Sequence, residues 1–249
     1  LVPGTSVPAP ESVKLALLIK SKDGKDAARR EEPAGLQKSK GDLFCDRAIM
    51  LAPGDYEVAA ALVDGAGAIL ASAHRATTIP TFPTEFAASP IIISINDFPA
   101  ENAKPGDAFV FSQRKFVVRG DNVVGPTDGL SYFVRVYNPS FDPTTKKSGL
   151  KQTVKIKAKG GGPAQELAPP PDSQVSAPPD TKDGKAAVDI GYGVIEANAG
   201  QYFRGDQVMT VTITDTLANP SKALTIPTPF KVTAAPAAPA AAPAPKKKS

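Results

Sequence analysis

The 249-residue chain has no tryptophan, one cysteine, one histidine and two methionines, and aromatic residues make up only 6% of it. A lone Cys45 excludes an intrachain disulfide, so no disulfide framework holds this fold. It lies in "DLFCDRAIML", where alternation makes it a core thiol, a small buried hydrophobe. With His74 the only imidazole and the one thiol distant from it, the donor set of a structural zinc site is missing. His74, in "ASAHRATT", reads as a surface strand residue. No Gly-x-Ser-x-Gly elbow is present to present a serine nucleophile. The run "KGGGPAQ" lacks the Gly-Lys-Ser/Thr ending of a phosphate loop.

Carboxylates are plentiful, but spacing alone does not pair them as a glycosidase would. Asp23, Asp64, Asp128 and Asp183 each precede a glycine, a turn context that already accounts for them. The same loops lack the spacing of an EF-hand calcium site. We therefore assign no catalytic residue, no cofactor and no metal ligand, and expect a protein that is not an enzyme.

No run of about 18 apolar residues occurs, so no membrane span is expected in this stretch. The opening "LVPGTSVPAP" has neither an initiator Met nor the pattern of a signal sequence, which leads us to expect a mature or excised part of something longer. The formal charge is +4, and Lys246, Lys247 and Lys248 carry three of those charges, leaving +1 for the rest. A nucleic-acid binder concentrates basic residues on its folded body with aromatics between them, so nucleic acid is not an expected partner.

What the chain does have is 26 prolines and 20 glycines, separating short alternating runs. "SVKLALLIK", "DLFCDRAIML", "DYEVAAALVD" and "AILASAHRATTI" are strand-length, and no stretch sustains helical spacing between caps. Only "KDAARREEPAGLQ" suggests a helical turn or two, ended by Pro33 and Gly35. Pro80, Pro83 and Pro90 then break the pattern, and seven more runs follow between "IIISIND" and "LTIPTPFKVT". The fold expected is all-β: two tandem immunoglobulin/fibronectin-like antiparallel β-sandwiches, the first over residues 1–82 and shortened at its N-terminus, the second over 91–233. Residues 83–90 are the expected linker and 159–184 a Pro/Gly-rich exposed loop. Residues 234–249 form a disordered Pro/Ala tail ending in lysine.

The pair Gly-Asp occurs five times, and twice arginine precedes it: Arg119, Gly120, Asp121 and Arg204, Gly205, Asp206. Each triplet is a candidate adhesion ligand. Yet glycine adopts positive φ freely and aspartate bonds its own backbone two residues on, so Gly-Asp is also a mechanical way into a strand. Setting "LAPGDYEVAAALVD" over "YFRGDQVMTVTITD" puts Gly54 on Gly205 and Pro53 opposite Arg204. Tyr56 sits where the corner of an immunoglobulin-type sandwich holds a tyrosine that bonds back to the main chain. In "KQTVKIKAKG", Lys155, Lys157 and Lys159 alternate with apolar residues; such a row protects a sheet edge or, with Lys246, Lys247 and Lys248, contacts a polyanion.

"AIMLAPGDYEVAAALVDGAGAILAS" with "TIPTFPTEFAASPIIIS" resembles the β-sandwich segments that accompany von Willebrand A-related and GWxTD domains in large exported bacterial proteins. "LSYFVRVYN" and "QVMTVTITDTLANPSKALTIPTPFKV" are similar to the next module, so the resemblance spans about residues 40 to 233. It implies an extracytoplasmic accessory module. The chain lacks the namesakes' Asp-x-Ser-x-Ser and Gly-Trp-x-Thr-Asp runs. The function expected is a structural or protein-interaction module whose partner is a protein or a cell-wall polymer, with an adhesin or a carbohydrate-binding module as the alternatives.

Overall fold

Period-two alternation does form the long strands. The computed structural model describes residues 12–39, 42–102, 108–111, 114–167 and 186–233. Over these the chain is nearly all β, with sheets that are antiparallel but for one parallel two-residue pairing, and with 3-10 segments at Ala100–Asn102 and Ala199–Gln201. It divides into two compact units, Leu1–Phe82 with Lys104–Ala108 and Pro83–Ala103 with Phe109–Ser249.

Unit 1 is one four-stranded antiparallel sheet. Strands β1 (Lys14–Ser21), β2 (Asp26–Pro33), β5 (Gly54–Val63) and β6 (Ile69–Ile79) take the order β2-β1-β5-β6, and β3 (Gln37–Ser39) pairs separately with β4 (Asp42–Phe44). The register puts Leu15, Leu17, Ile19, Val58, Ala60 and Leu62 on one face. Only Leu17 and Ile19 of these are buried; the β5 residues are half-exposed. The segment following β4 bridges that face. Arg47 bonds Glu32 at 2.6 Å and the carbonyl of Pro33 at 2.9 Å, while the Tyr56 hydroxyl donates to Ala52 O at 2.8 Å. This is the corner bond expected of Tyr56.

The expected helical turn over "KDAARREEP" is β2 instead. A hairpin turn closes at Gly24, whose N–H reaches Ser21 O at 2.8 Å, and pairing with β1 overrides the weak local helical preference. Cys45 is half-buried rather than in the core, its thiol 3.0 Å from Ala34 O.

Unit 2 has two sheets. The first orders β15 (Ala187–Ile195), β12 (Leu130–Tyr137), β8 (Ile92–Pro99), β10 (Arg114–Val118) and β9 (Val110–Phe111), with β7 (Ala87–Ala88) beside β12. The second orders β11 (Val123–Val124), β17 (Lys222–Val232), β16 (Gly205–Asp215), β13 (Leu150–Ala158) and β14 (Gln165–Glu166). Their facing sides share a core. Leu130, Val134 and Val136 from one and Leu150, Val154, Met209, Val211 and Ile213 from the other are all fully buried. Tyr132 joins the layers, its hydroxyl 2.6 Å from Gln152 Oε1 in a buried contact. This unit is sandwich-like.

Residues 83–90, expected as linker, carry β7, and Asn138 Nδ2 donates to Pro83 O at 2.8 Å and Glu85 O at 3.1 Å. The loop expected over 159–184 carries β14, which pairs with Lys155 and Ile156. Residues 168–184 of that loop and the tail at 234–249, Lys246, Lys247 and Lys248 included, lie outside the described residues.

Candidate functional site

Both Arg-Gly-Asp triplets come to the same end of one sheet. The turn Arg119–Asn122 closes by a 3.1 Å bond from Asn122 N–H to Arg119 O and leads into β11, whose Val123 pairs with Lys231 on β17. On the other side of β17, Asp206 pairs with the same Lys231. Val123 and Asp206 are thus two strand spacings apart, about 10 Å. Lys159 joins the group, its N–H donating to Asp206 O at 2.9 Å.

The two triplets differ within that end. In the first, Asp121 Oδ1 accepts the Val123 N–H at 3.0 Å and lies 3.4 Å from Arg119 Nε. The carboxylate is therefore engaged by its own turn, although Gly120 and Asp121 are exposed and Arg119 is half-buried. Gly120 has ordinary negative-side backbone, and the positive φ of 53° belongs to Asn122, which corrects the reading of glycine as the hinge there. In the second, Gly205 does take positive φ, at 70°, as it opens β16. Arg204, Gly205 and Asp206 are all exposed, and Gln207 Nε2 donates to Arg204 O at 2.6 Å.

From this end the outer face of the sheet is a lysine and threonine surface. Gln152, Val154 and Ile156 of β13 point inward and are buried, which turns Lys151, Thr153, Lys155 and Lys157 outward. Rungs Lys155–Thr210, Thr153–Thr212 and Lys151–Thr214 continue that face onto β16. Thr212 and Thr225 hydroxyls lie 3.2 Å apart. Glu166 sits 3.3 Å from Lys155. Lysine spacing in the sequence marked Lys155, Lys157 and Lys159; Lys151 has the same parity and belongs with them, masked by the intervening Thr153.

Other aspartates act as staples for backbone amides. Asp215, only 1% exposed, accepts Ser140 N–H at 2.7 Å, Leu217 N–H at 3.1 Å and Ala218 N–H at 3.2 Å. Asp142 accepts Thr145 N–H at 2.6 Å and Thr144 N–H at 2.9 Å, and those amides, with the Thr145 hydroxyl, hold its carboxyl below the usual range. Among the described residues no group of three or more His, Cys, Asp or Glu is placed to hold a metal ion.

Unit 1 offers a different surface. The face opposite its half-covered apolar one forms a trough of about 720 Å³ floored by Ala16, Leu18, Ala59 and Ala61. Polar pairs rim it: Lys14 with Glu31 at 2.9 Å on one side and the His74 ring with Glu57 at 3.3 Å on the other.

No protein-family model matches the chain, and no curated protein matches it.

Proposed function

We propose that the chain is a non-enzymatic interaction module, built of two immunoglobulin-like β units in tandem, that serves as a spacer or scaffold in an exported surface or envelope protein. The observation that carries this reading is the outer face of the β13–β16–β17 sheet, where Lys151, Lys155 and Lys157 flank a row of threonines. Three cations and several hydroxyl donors on a regular, open face suit an extended acidic partner better than a small ligand. The Tyr56 corner bond supports the immunoglobulin-like assignment of unit 1, and the paired layers of unit 2 support it there. The extracytoplasmic setting rests on the resemblance to modules of exported bacterial proteins.

Contact with an anionic cell-wall or matrix polymer is the form of this function that the lysine face favours. Co-sedimentation of the chain with an acidic polysaccharide across a salt series tests it. Binding is expected to fall with ionic strength and to be lost in a Lys151→Glu, Lys157→Glu double variant. Salt-independent binding, or binding equal in the variant, overturns it.

An adhesin reading keeps one supporting feature, the meeting of both triplets at one sheet end. Cell attachment by Asp121→Glu, Asp206→Glu decides between the two. Unchanged attachment leaves the triplets as turns.

A further inference from the structure

Several sheet edges among the described residues are protected. β2 carries five charged residues and Pro33 in eight positions. β17 has Pro227 and Pro229 beyond the two rungs that β11 covers, and each proline removes a donor from that edge. β13 is capped in part by β14 and presents lysines. β15 is bent by a bulge opposite Leu130 and Ser131. These are the devices by which sheets avoid pairing with other chains.

β6 has almost none of them. It is 11 residues long, closes the unit 1 sheet, and has only His74 and Arg75 as charged or titratable residues. Ala71, Ser72, Ala73, His74, Arg75 and Ala76 are all exposed. Among the described residues, no hydrogen bond reaches the outward backbone groups of β6.

We propose that β6 pairs antiparallel with β6 of a second copy of this chain, about a two-fold axis through His74, joining two four-stranded sheets into one of eight. The inference rests on the interaction-module reading and names its partner for unit 1. The strand suits itself in that register. Within the regular stretch Ala71 meets Thr77, Ser72 meets Ala76, Ala73 meets Arg75, and His74 meets its own copy on the axis. Moving the axis to Arg75 sets arginine against arginine, which is unfavourable for residues directly opposite. Moving it to Ala73 shortens the overlap of the regular stretch that follows the bulge at Leu70. Because directly opposed residues point to the same side of a sheet, the half-covered face of Val58, Ala60 and Leu62 becomes continuous across the axis.

Sedimentation velocity over a concentration series, with amide exchange read in parallel, tests the pairing on the intact chain. A monomer–dimer equilibrium is expected, with protection rising with concentration at β6 and not at β17. Ala73→Glu places a carboxylate opposite Arg75 of the second copy twice over and tightens the dimer about fivefold; Ala73→Lys weakens it by a similar factor. Circular dichroism of both variants checks that the monomer fold is kept. A monomer at every concentration, a dimer without protection of β6, or the two variants shifting in the same direction overturns the proposal. Should it fall while the salt-sensitive binding that depends on Lys151 and Lys157 persists, the interaction-module reading stands without it.

Discussion

β5 of unit 1 and β16 of unit 2 begin on the same Gly-Asp pair, run for similar lengths and sit inside their sheets, yet they live in different surroundings. In β16, Gln207, Met209, Val211, Ile213 and Asp215 are buried in strict alternation, because a second sheet closes on that side. In β5, Val58 through Val63 are uniformly half-buried, because a short bridging segment covers the apolar face only in part. Alternation specifies which way side chains point. Burial depends on what is laid over them, and the same strand grammar yields a packed layer in one unit and a half-open one in the other.

Truncating matched core positions should break the comparison most sharply. Ile213→Ala is expected to cost unit 2 about 2–5 kcal/mol, the range for a fully enclosed side chain that leaves a cavity. Leu62→Ala in unit 1 should cost about half of that or less, since the site is already partly in water. Urea denaturation followed by unit-resolved probes measures both. Equal losses would show that the half-exposed face of unit 1 is covered in solution.

Tyr132 and Tyr56 give a smaller contrast. Tyr132→Phe leaves Gln152 without its buried 2.6 Å donor and is expected to cost about 1–2 kcal/mol. Tyr56→Phe removes an exposed bond to Ala52 O and should cost about 0.5 kcal/mol. If Tyr56→Phe proves as damaging as Tyr132→Phe, the corner organises unit 1 beyond its own bond.

Acid should separate the units last and least. Glu31 is held low by the Lys14 ammonium, Asp55 by the Thr78 hydroxyl and then Lys22, and Asp23 by the Ser21 hydroxyl and then Lys25. A carboxyl depressed on folding adds stability above its unfolded value, and that contribution disappears as pH falls through its folded value. All three are in unit 1, against Asp142 in unit 2, so unit 1 should loosen slightly more than unit 2 below about pH 4, by an amount that solvent screening keeps small. Amide exchange compared at neutral and acid pH reads the difference, and equal loosening would remove this distinction between the units.

The long strands were legible because apolar residues alternate in them, as in "TVKIKA" and "VMTVTITD". β2 was not, since an edge strand of charged residues, paired through its backbone, leaves no apolar signal. β7, β11 and β14 are two residues each, below the reach of any period. Of the candidate site, the lysine row and the two triplets could be found locally. Their convergence on Lys231 could not, because it depends on the order β11-β17-β16, which brings residues about 80 positions apart onto one rung. Asp215 carries no local signal of burial in "TITDTLANP". Its burial depends on Ser140, 75 residues away.

That last contact has a mechanical meaning. Ser140 follows β12 in one sheet, and Leu217 and Ala218 follow β16 in the other, so a single carboxylate fastens the two layers at one end. The bonds to Leu217 and Ala218 are local to the turn that follows Asp215, so a shearing load that slides one layer over the other falls on the single bond to Ser140, while the other two hold the carboxylate in place for it. The carboxylate that makes this link stands at the end of β16 opposite its Arg-Gly-Asp turn, where solvent barely reaches it.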